Sequence, residues 1–248
     1  MSIVLSTKKL IKIFGGVSAV SDATVEVEEN QLKAIIGPNG AGKTTFFNLI
    51  TGRLTPTSGQ VFYKGEDITN SSPHRLAQMG ICRTFQINSL FLGLTVFENV
   101  RIARQAKCGG AYKIFSLREK LKDVNKGTWG VLEQVGLTDK SSVIGSELSY
   151  GDQRALEVGI ALAGDPKVLL LDEPTAGMSQ GETERITDLI KGLVHNTAVI
   201  LVEHDVEMVM SISDNISVMN QGKIIAEGPP QEIREDKLVR EAYLGEED

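Results

Sequence analysis

Residues 37–45 read GPNGAGKTT, and the first eight fit the pattern G-x-x-x-x-G-K-[ST]. Gly37, Gly40 and Gly42 let successive backbone N–H groups turn inward, where side chains would crowd a phosphate. Pro38, Asn39 and Ala41 complete the cradle. A helix beginning near Gly42 aims its positive end, about half an elementary charge, at the same place. Lys43 is placed to reach β- and γ-phosphates, the Thr44 hydroxyl to hold Mg²⁺, and Thr45 to add a contact to the α-phosphate. A glycine turn that merely joins strand to helix satisfies the same pattern. The context decides: QLKAIIG (31–37) reads as a buried strand before it, and GKTTFFNLITG (42–52) as a helix closed by Gly52. Alone, the motif predicts a nucleotide and nothing more specific.

Outward from this loop, ATVEVEE (23–29) alternates like a strand with one wet face, and GQVFYKGEDI (59–68) reads as another short strand with a glycine turn. Together they predict a small β layer beside a nucleotide-binding core. From about 95 to 165 the pattern is helical and polar, with LREKLKDVNKGTWGVLEQVGL (117–137) at its centre, as in a separate helical lobe. KVLLLDE (167–173) and TAVILVEH (197–204) are apolar runs ending abruptly in acids or a histidine, as parallel strands buried on both faces do. SDNISVMNQGKIIAEG (213–228) supplies two more strands around Gly222. There is no internal repeat. The expected organisation is one cassette: a core with its β layer from 1–90 and 166–230, a helical part of about 90–165, and a C-terminal helix and tail from 231–248.

A chain of 248 residues has room for one such α/β domain. Its net charge of −6 argues against a general nucleic-acid binder, whose footprint is basic. Cys82 and Cys108 form no metal knuckle or disulfide framework and read as reduced thiols of a cytosolic protein. The opening MSIVLSTKKLIKIF is broken by lysines and lacks the pattern of a signal peptide. No run reaches the ~18 to 20 apolar residues that cross a bilayer, so work at a membrane requires docking onto another subunit. Segment 101–126 holds eight Lys/Arg against two Asp/Glu. It suits either a solvated helix face or a surface turned to lipid headgroups or acidic partner loops.

Asp172 and Glu173 close the apolar run 168–171, at the carboxyl edge where open α/β sheets bind ligands. Adjacent acids at a strand end also make ordinary solvated turns. Downstream of a phosphate loop they suit two separate roles. Asp172 binds Mg²⁺ through water, and Glu173 orients and polarises the attacking water. His204 closes the next apolar run at the same edge, where it can bond a γ-phosphate and sense its loss. His74 and His195 have no such position. In ELSYGDQRALEVGIALAGDP (147–166), Ser149 and Gly151 can present a hydroxyl and an N–H near a helix amino end, a second anion site. A plain serine cap worth about 1 kcal/mol is the alternative.

The phosphate loop, Gln86 in RTFQ, LSYGD, LLLDEP, TAGMS and VEHD occur in the order shown by the ATP-binding cassette family of transport ATPases, which the whole chain resembles. GICRTFQINSLFLGLTVFENV, the LSYGDQ signature and the tail VREAYLGE are similar to the ATPases of branched-chain amino acid importers. The resemblance implies an α/β fold with a P-loop NTPase (RecA-like) core, an antiparallel β subdomain and an inserted helical subdomain. It also implies a head-to-tail dimer with a second cassette, identical or paralogous, and two ATP molecules between them. The phosphate loop of one subunit then faces Ser149 and Gly151 of the other. Phe14 stacks on adenine, worth roughly 1 to 3 kcal/mol by analogy with base–aromatic stacking. Gln86 completes the Mg²⁺ shell in a loop that meets the permease.

The implied partners are transmembrane permease subunits and, through them, an external substrate-binding protein. The implied place is the cytoplasmic face of the inner membrane. Tyr150 and Asp152 stand where the commonest signature has glycine and glutamine, and Ser179 where many members carry aspartate. Lipid or lipopolysaccharide extraction uses closely similar ATPases. A soluble regulatory ATPase lacks here its usual second cassette or coiled coil, and a P-loop kinase leaves the signature and His204 unexplained.

Overall fold

A computed structural model describes residues 2–84, 90–107 and 117–244, with side chains throughout except at 117–121 and 244. The chain opens with β1 (Ile3–Phe14), β2 (Val17–Ala23), β3 (Glu26–Glu28) and β4 (Leu32–Ile36), then α1 (Lys43–Ile50). β5 (Ser58–Tyr63), β6 (Glu66–Asp67), α2 (Pro73–Met79) and β7 (Ile81–Arg83) follow. Among the described residues, α3 (Val96–Lys107), α4 (Leu117–Gln134) and α5 (Tyr150–Leu162) come next. β8 (Val168–Asp172), α6 (Gln180–Leu193), β9 (Ala198–Val202) and α7 (Val206–Ile212) return to the sheet. The hairpin β10 (Asn215–Asn220) and β11 (Lys223–Gly228) leads to α8 (Pro230–Glu235) and α9 (Lys237–Leu244).

Two sheets result. The larger runs β11-β10-β4-β9-β8-β7, parallel except for the antiparallel edge strand β11. The smaller is antiparallel, ordered β2-β1-β5-β6, with β3 also paired to β1. β4, β8 and β9 are buried at every residue, which explains the apolar runs of β8 and β9, while in β4 the buried Lys33 ammonium is paired with Glu227 and Asn215 Oδ1. Alternate side chains serve two cores. Leu32, Ala34, Ile36, Leu169, Leu171, Val199 and Leu201 share one cluster with residues of α3, α4, α5, α6 and α7. Ile35, Val168, Leu170, Ala198 and Ile200 share the other with Phe46 and Phe47 of α1 and with Val4, Leu10, Val20 and Val61 of the small sheet. Full burial of a side chain such as Phe46 or Phe47 stabilises by ~1.5–3 kcal/mol, which fixes α1 and the loop before it. This is the P-loop NTPase fold.

The strand expected at 23–29 is shorter, Glu26–Glu28, because Ala23 completes β2. The long β1–β2 hairpin is absent from the sequence expectation. Lysines interrupt its apolar alternation, Lys9 takes φ 48°, and the register shifts twice between Leu10 and Ile13. Gln221 and Gly222, at φ 48° and 80°, make the two-residue turn that the β10–β11 twist favours. Among the described residues no helix is long and apolar enough to cross a membrane.

Candidate active site

β4 ends at Ile36 and delivers the chain into the phosphate loop. Gly37 has φ 150°, and a Cβ there would lie 2.0 Å from the Met219 carbonyl oxygen of β10. At Gly42, φ 102°, a Cβ would lie 2.3 Å from the Ala19 carbonyl oxygen of β2. Only glycine lets the loop pass this close to both sheets. Gly42 is the N-cap of α1 and no side chain among the described residues caps it, so the amino end of the helix is left for an external acceptor. The buried Lys43 ammonium turns back over the loop and donates to the carbonyls of Gly37, at 2.5 Å, and Pro38, at 3.0 Å.

A cavity of about 230 Å³ opens here, lined by Ala19, Asn39, Gly40, Ala41, Gly42, Lys43, Thr44, Thr45, Glu173 and His204. The end of β8 therefore meets the phosphate loop. Glu173 holds a left-handed backbone, φ 49°, an uncommon conformation that its N–H bond to Val202 O (2.8 Å) helps to fix. His204 Nε2 lies 2.8 Å from Glu173 Oε1. Buried Glu203 braces the turn after Glu173 and the His204 backbone: Oε1 accepts from Thr175 N and Oγ1, at 2.8 and 2.6 Å, and Oε2 from His204 N at 3.1 Å.

Asp172 is only 3 % exposed and does not line the cavity itself. Arg83 Nη2 donates to its Oδ2 at 2.5 Å, and Nη1 to Asn48 Oδ1 of α1 at 2.7 Å. Its guanidinium also sits over the Phe47 ring at 5.5 Å. Among the described residues, Asp172 Oδ1 is buried with no hydrogen-bond partner. That acceptor and the exposed Thr44 hydroxyl are oxygen donors of the kind Mg²⁺ takes, alongside phosphate oxygens. Among the described residues no group of three His, Cys, Asp or Glu forms a closed metal cage. Gln86 lies outside the described residues. Phe14, 45 % exposed at the end of β1, has the Lys12 ammonium 5.1 Å from its ring and does not line the cavity.

Ser149 and Gly151 also lie apart from that cavity. Ser149 is the N-cap of α5, its Oγ accepting from Asp152 N at 3.2 Å. Gly151 N donates to Glu182 Oε1 at 3.1 Å. Glu182 Oε2 accepts from Ser179 N (3.1 Å) and Oγ (2.7 Å), closing a capping box on α6. Asp152 gathers Lys140, Arg185 Nη1 at 2.7 Å and Ser149 Oγ at 2.8 Å. Burial pushes the Asp152 carboxyl up, but bonds from Lys140, Arg185 and Ser149 outweigh it and hold its pKa below the ordinary value. Tyr150 OH donates to Ala176 O at 3.0 Å, tying α5 to the turn after Glu173.

Arg83, Asn48, Glu203 and Glu182 carry much of this geometry, and sequence reading passed over all four. Glu203 had a usable signal, since it follows the apolar run 198–202 as Asp172 ends 168–172. A second cleft of about 210 Å³ lies between α2, α3 and α5, lined in part by Arg53, Leu76, Cys82, Ala103, Glu157 and Ile160.

The family model of the ABC transporter matches residues 20–176, and that of the branched-chain amino acid ATP-binding cassette transporter matches 223–248. The chain is 41% identical over 251 residues to the high-affinity branched-chain amino acid transport ATP-binding protein LivG of Salmonella typhimurium, covering 98% of each. It superposes with a TM-score of 0.86 on an ABC transporter cassette solved in its ADP conformation, at 32% identity and covering 99% of this chain and 100% of that one. A dimeric cassette in a post-hydrolysis state with ADP and Pi matches with a TM-score of 0.75 at 25% identity, over 91% of this chain and 98% of that one. Phosphate loop, acidic strand end and whole-chain likeness agree: the chain is an ATPase cassette of the ABC transporter family, among the ATP-binding proteins of branched-chain amino acid transport.

Proposed function

We propose that this chain is the ATP-hydrolysing subunit of an importer of branched-chain amino acids and that each ATP is shared between two cassettes. Gly37 to Thr45 bind the phosphates, with Lys43 exchanging its carbonyl partners for phosphate oxygens. Glu173 accepts a hydrogen bond from the attacking water and orients it toward the γ-phosphoryl group. His204 holds the Glu173 carboxylate on one side and faces the γ-phosphate on the other. Thr44 and Gln86 directly, and Asp172 through water, would hold Mg²⁺, which would supply charge neutralisation at the phosphoryl oxygens. Phe14, outside the cavity lining, stacks on adenine.

The observation that carries the reading is the meeting of Glu173 and His204 with the phosphate loop in one cavity, while Ser149 and Gly151 lie outside it. A site missing its second wall is completed by another cassette, identical or paralogous, which brings its own Ser149 and Gly151 to the γ-phosphate. ATP then favours the closed pair by differential affinity, and hydrolysis reopens it. A swing from mostly open to mostly closed requires about 5.5 kcal/mol of preferential binding.

The helical part, about 90–165, moves with α5 as a lobe on the core formed by 1–90 and 166–230. The cleft between α2, α3 and α5 receives a helix of a transmembrane permease subunit, which keeps the cassette at the cytoplasmic face of the membrane. An external binding protein supplies the amino acid from the far side. Reconstitution with the permease subunits tests this directly. Leucine, isoleucine or valine with its binding protein is expected to raise ATP turnover, and Glu173→Gln to lower it by ~10²- to 10⁴-fold. Stimulation by a lipid and not by these amino acids would replace the substrate assignment.

A further inference from the structure

The N–H of Gly151 is the donor that the shared-site reading assigns to a γ-phosphate, and it is already occupied. Glu182 of the same chain, 31 residues away, places Oε1 3.1 Å from it. The approach is tight: a Cβ on Gly151 would lie 2.7 Å from that oxygen and 2.9 Å from Glu182 Cγ. The other carboxylate oxygen is fixed by Ser179 N and Oγ, so the side chain is held at both ends. The Ser149 hydroxyl is engaged too, donating to Asp152 Oδ2 while accepting from Asp152 N. Both anion donors of the α5 amino end thus face carboxylates of their own subunit.

We propose that Glu182 is an internal stand-in for the γ-phosphate, a latch that keeps the α5 amino end closed until ATP on the facing cassette displaces it. This rests on the shared-site reading and adds a regulation to it. A carboxylate and a γ-phosphate cannot both accept this N–H at full strength, and their like charges repel at such range. Closure therefore requires Glu182 to leave Gly151. Its bonds to Ser179 can persist, so the displaced carboxylate remains the cap of α6 and ties the latch to the turn that follows Glu173.

Such a device raises the ATP level at which two cassettes pair and suppresses pairing without nucleotide. It also makes signature opening and the position of the 176–179 turn interdependent, because one side chain grips both. An internal cap alone would stabilise α6 but leave pairing indifferent to its charge. The two roles are therefore separable by experiment.

The test uses the purified full chain carrying Glu173→Gln, which stalls hydrolysis, with dimer formation followed by light scattering during ATP titration. Adding Glu182→Gln removes the charge and keeps the shape. The expected result is an ATP midpoint for dimerisation about tenfold lower, as loss of a charged hydrogen-bond competitor predicts. Binding of a fluorescent ATP analogue to the dilute monomer is expected to stay unchanged. Ser179→Ala, which removes one of the two Ser179 bonds that hold Glu182, is expected to lower the melting temperature and to shift the midpoint in the same direction as Glu182→Gln but by less. A Glu182→Gln midpoint equal to or above the parent's overturns the latch alone. A parent that pairs with ATP neither with itself nor with the paralogous cassette of the same transporter overturns the shared site, and the latch with it.

Discussion

Two helix amino ends in this molecule face anions in opposite ways. At α1 no side chain among the described residues caps the end, no acid stands in the first turn, and Lys43 rests on the loop's own carbonyls. At α5 Ser149 caps the end, Glu182 takes the Gly151 N–H, and Asp152 sits in the first turn with Lys140 and Arg185 neutralising it. The same helix-terminus physics yields an open cradle in one place and a self-satisfied surface in the other. The first is prepared to bind nucleotide as a monomer. The second presents its donors only when something displaces its own carboxylates, which suits a surface that acts on a partner's nucleotide.

Substitutions can sharpen this contrast on each side. The largest stability effect is expected beside the cradle. Arg83, whose side chain is 8 % exposed, is the charge partner of a buried Asp172. Arg83→Met leaves that carboxylate uncompensated and is expected to cost about 3–5 kcal/mol in denaturant unfolding. Asp172→Asn in the same background is expected to recover part of it. A loss under ~0.5 kcal/mol, the scale of surface changes, would mean that Arg83 does not hold Asp172 in place.

A smaller effect is expected at α5. Because the folded pKa of Asp152 lies below its ordinary 3.8, its network contributes fully above that value and is lost as pH falls through the folded pKa. Asp152→Asn is therefore expected to lower stability by about 1–2 kcal/mol at neutral pH, discounted for half-exposed Lys140 and Arg185. The gap between mutant and parent melting temperatures is expected to narrow below about pH 4. A gap that stays constant from neutral pH to about pH 3 would remove the charge network from the stability of α5.

The contrast was unevenly legible in the sequence. The cradle is contiguous, so GPNGAGKTT with its flanking strand and helix announces both the fold and the loop. Strands β8 and β9 were equally plain, since burial on both faces leaves an unbroken apolar run. The α5 surface was half legible: Ser149 and Gly151 stood out, but the carboxylate gripping Gly151 is 31 residues distant. Arg83 and Asp172 are 89 residues apart and meet only because β7 pairs with β8. Pairing partners of this kind depend on topology, which local patterns do not encode. The β1–β2 hairpin was obscured for another reason, because bulges and lysines erase the period of two by which strands are read.

The central claim is that one nucleotide is held by the cradle of one cassette and the α5 end of another. Complementation of two dead chains tests it most directly. Lys43→Ala disables the cradle, and Ser149→Arg disables the α5 end; each alone is expected to reduce ATP turnover by ~100-fold or more. Mixed in equal amounts, they form pairs in which one composite site is intact, and turnover is expected to reappear well above either chain alone. A mixture no more active than its inactive components, although the two chains associate, would contradict a shared site.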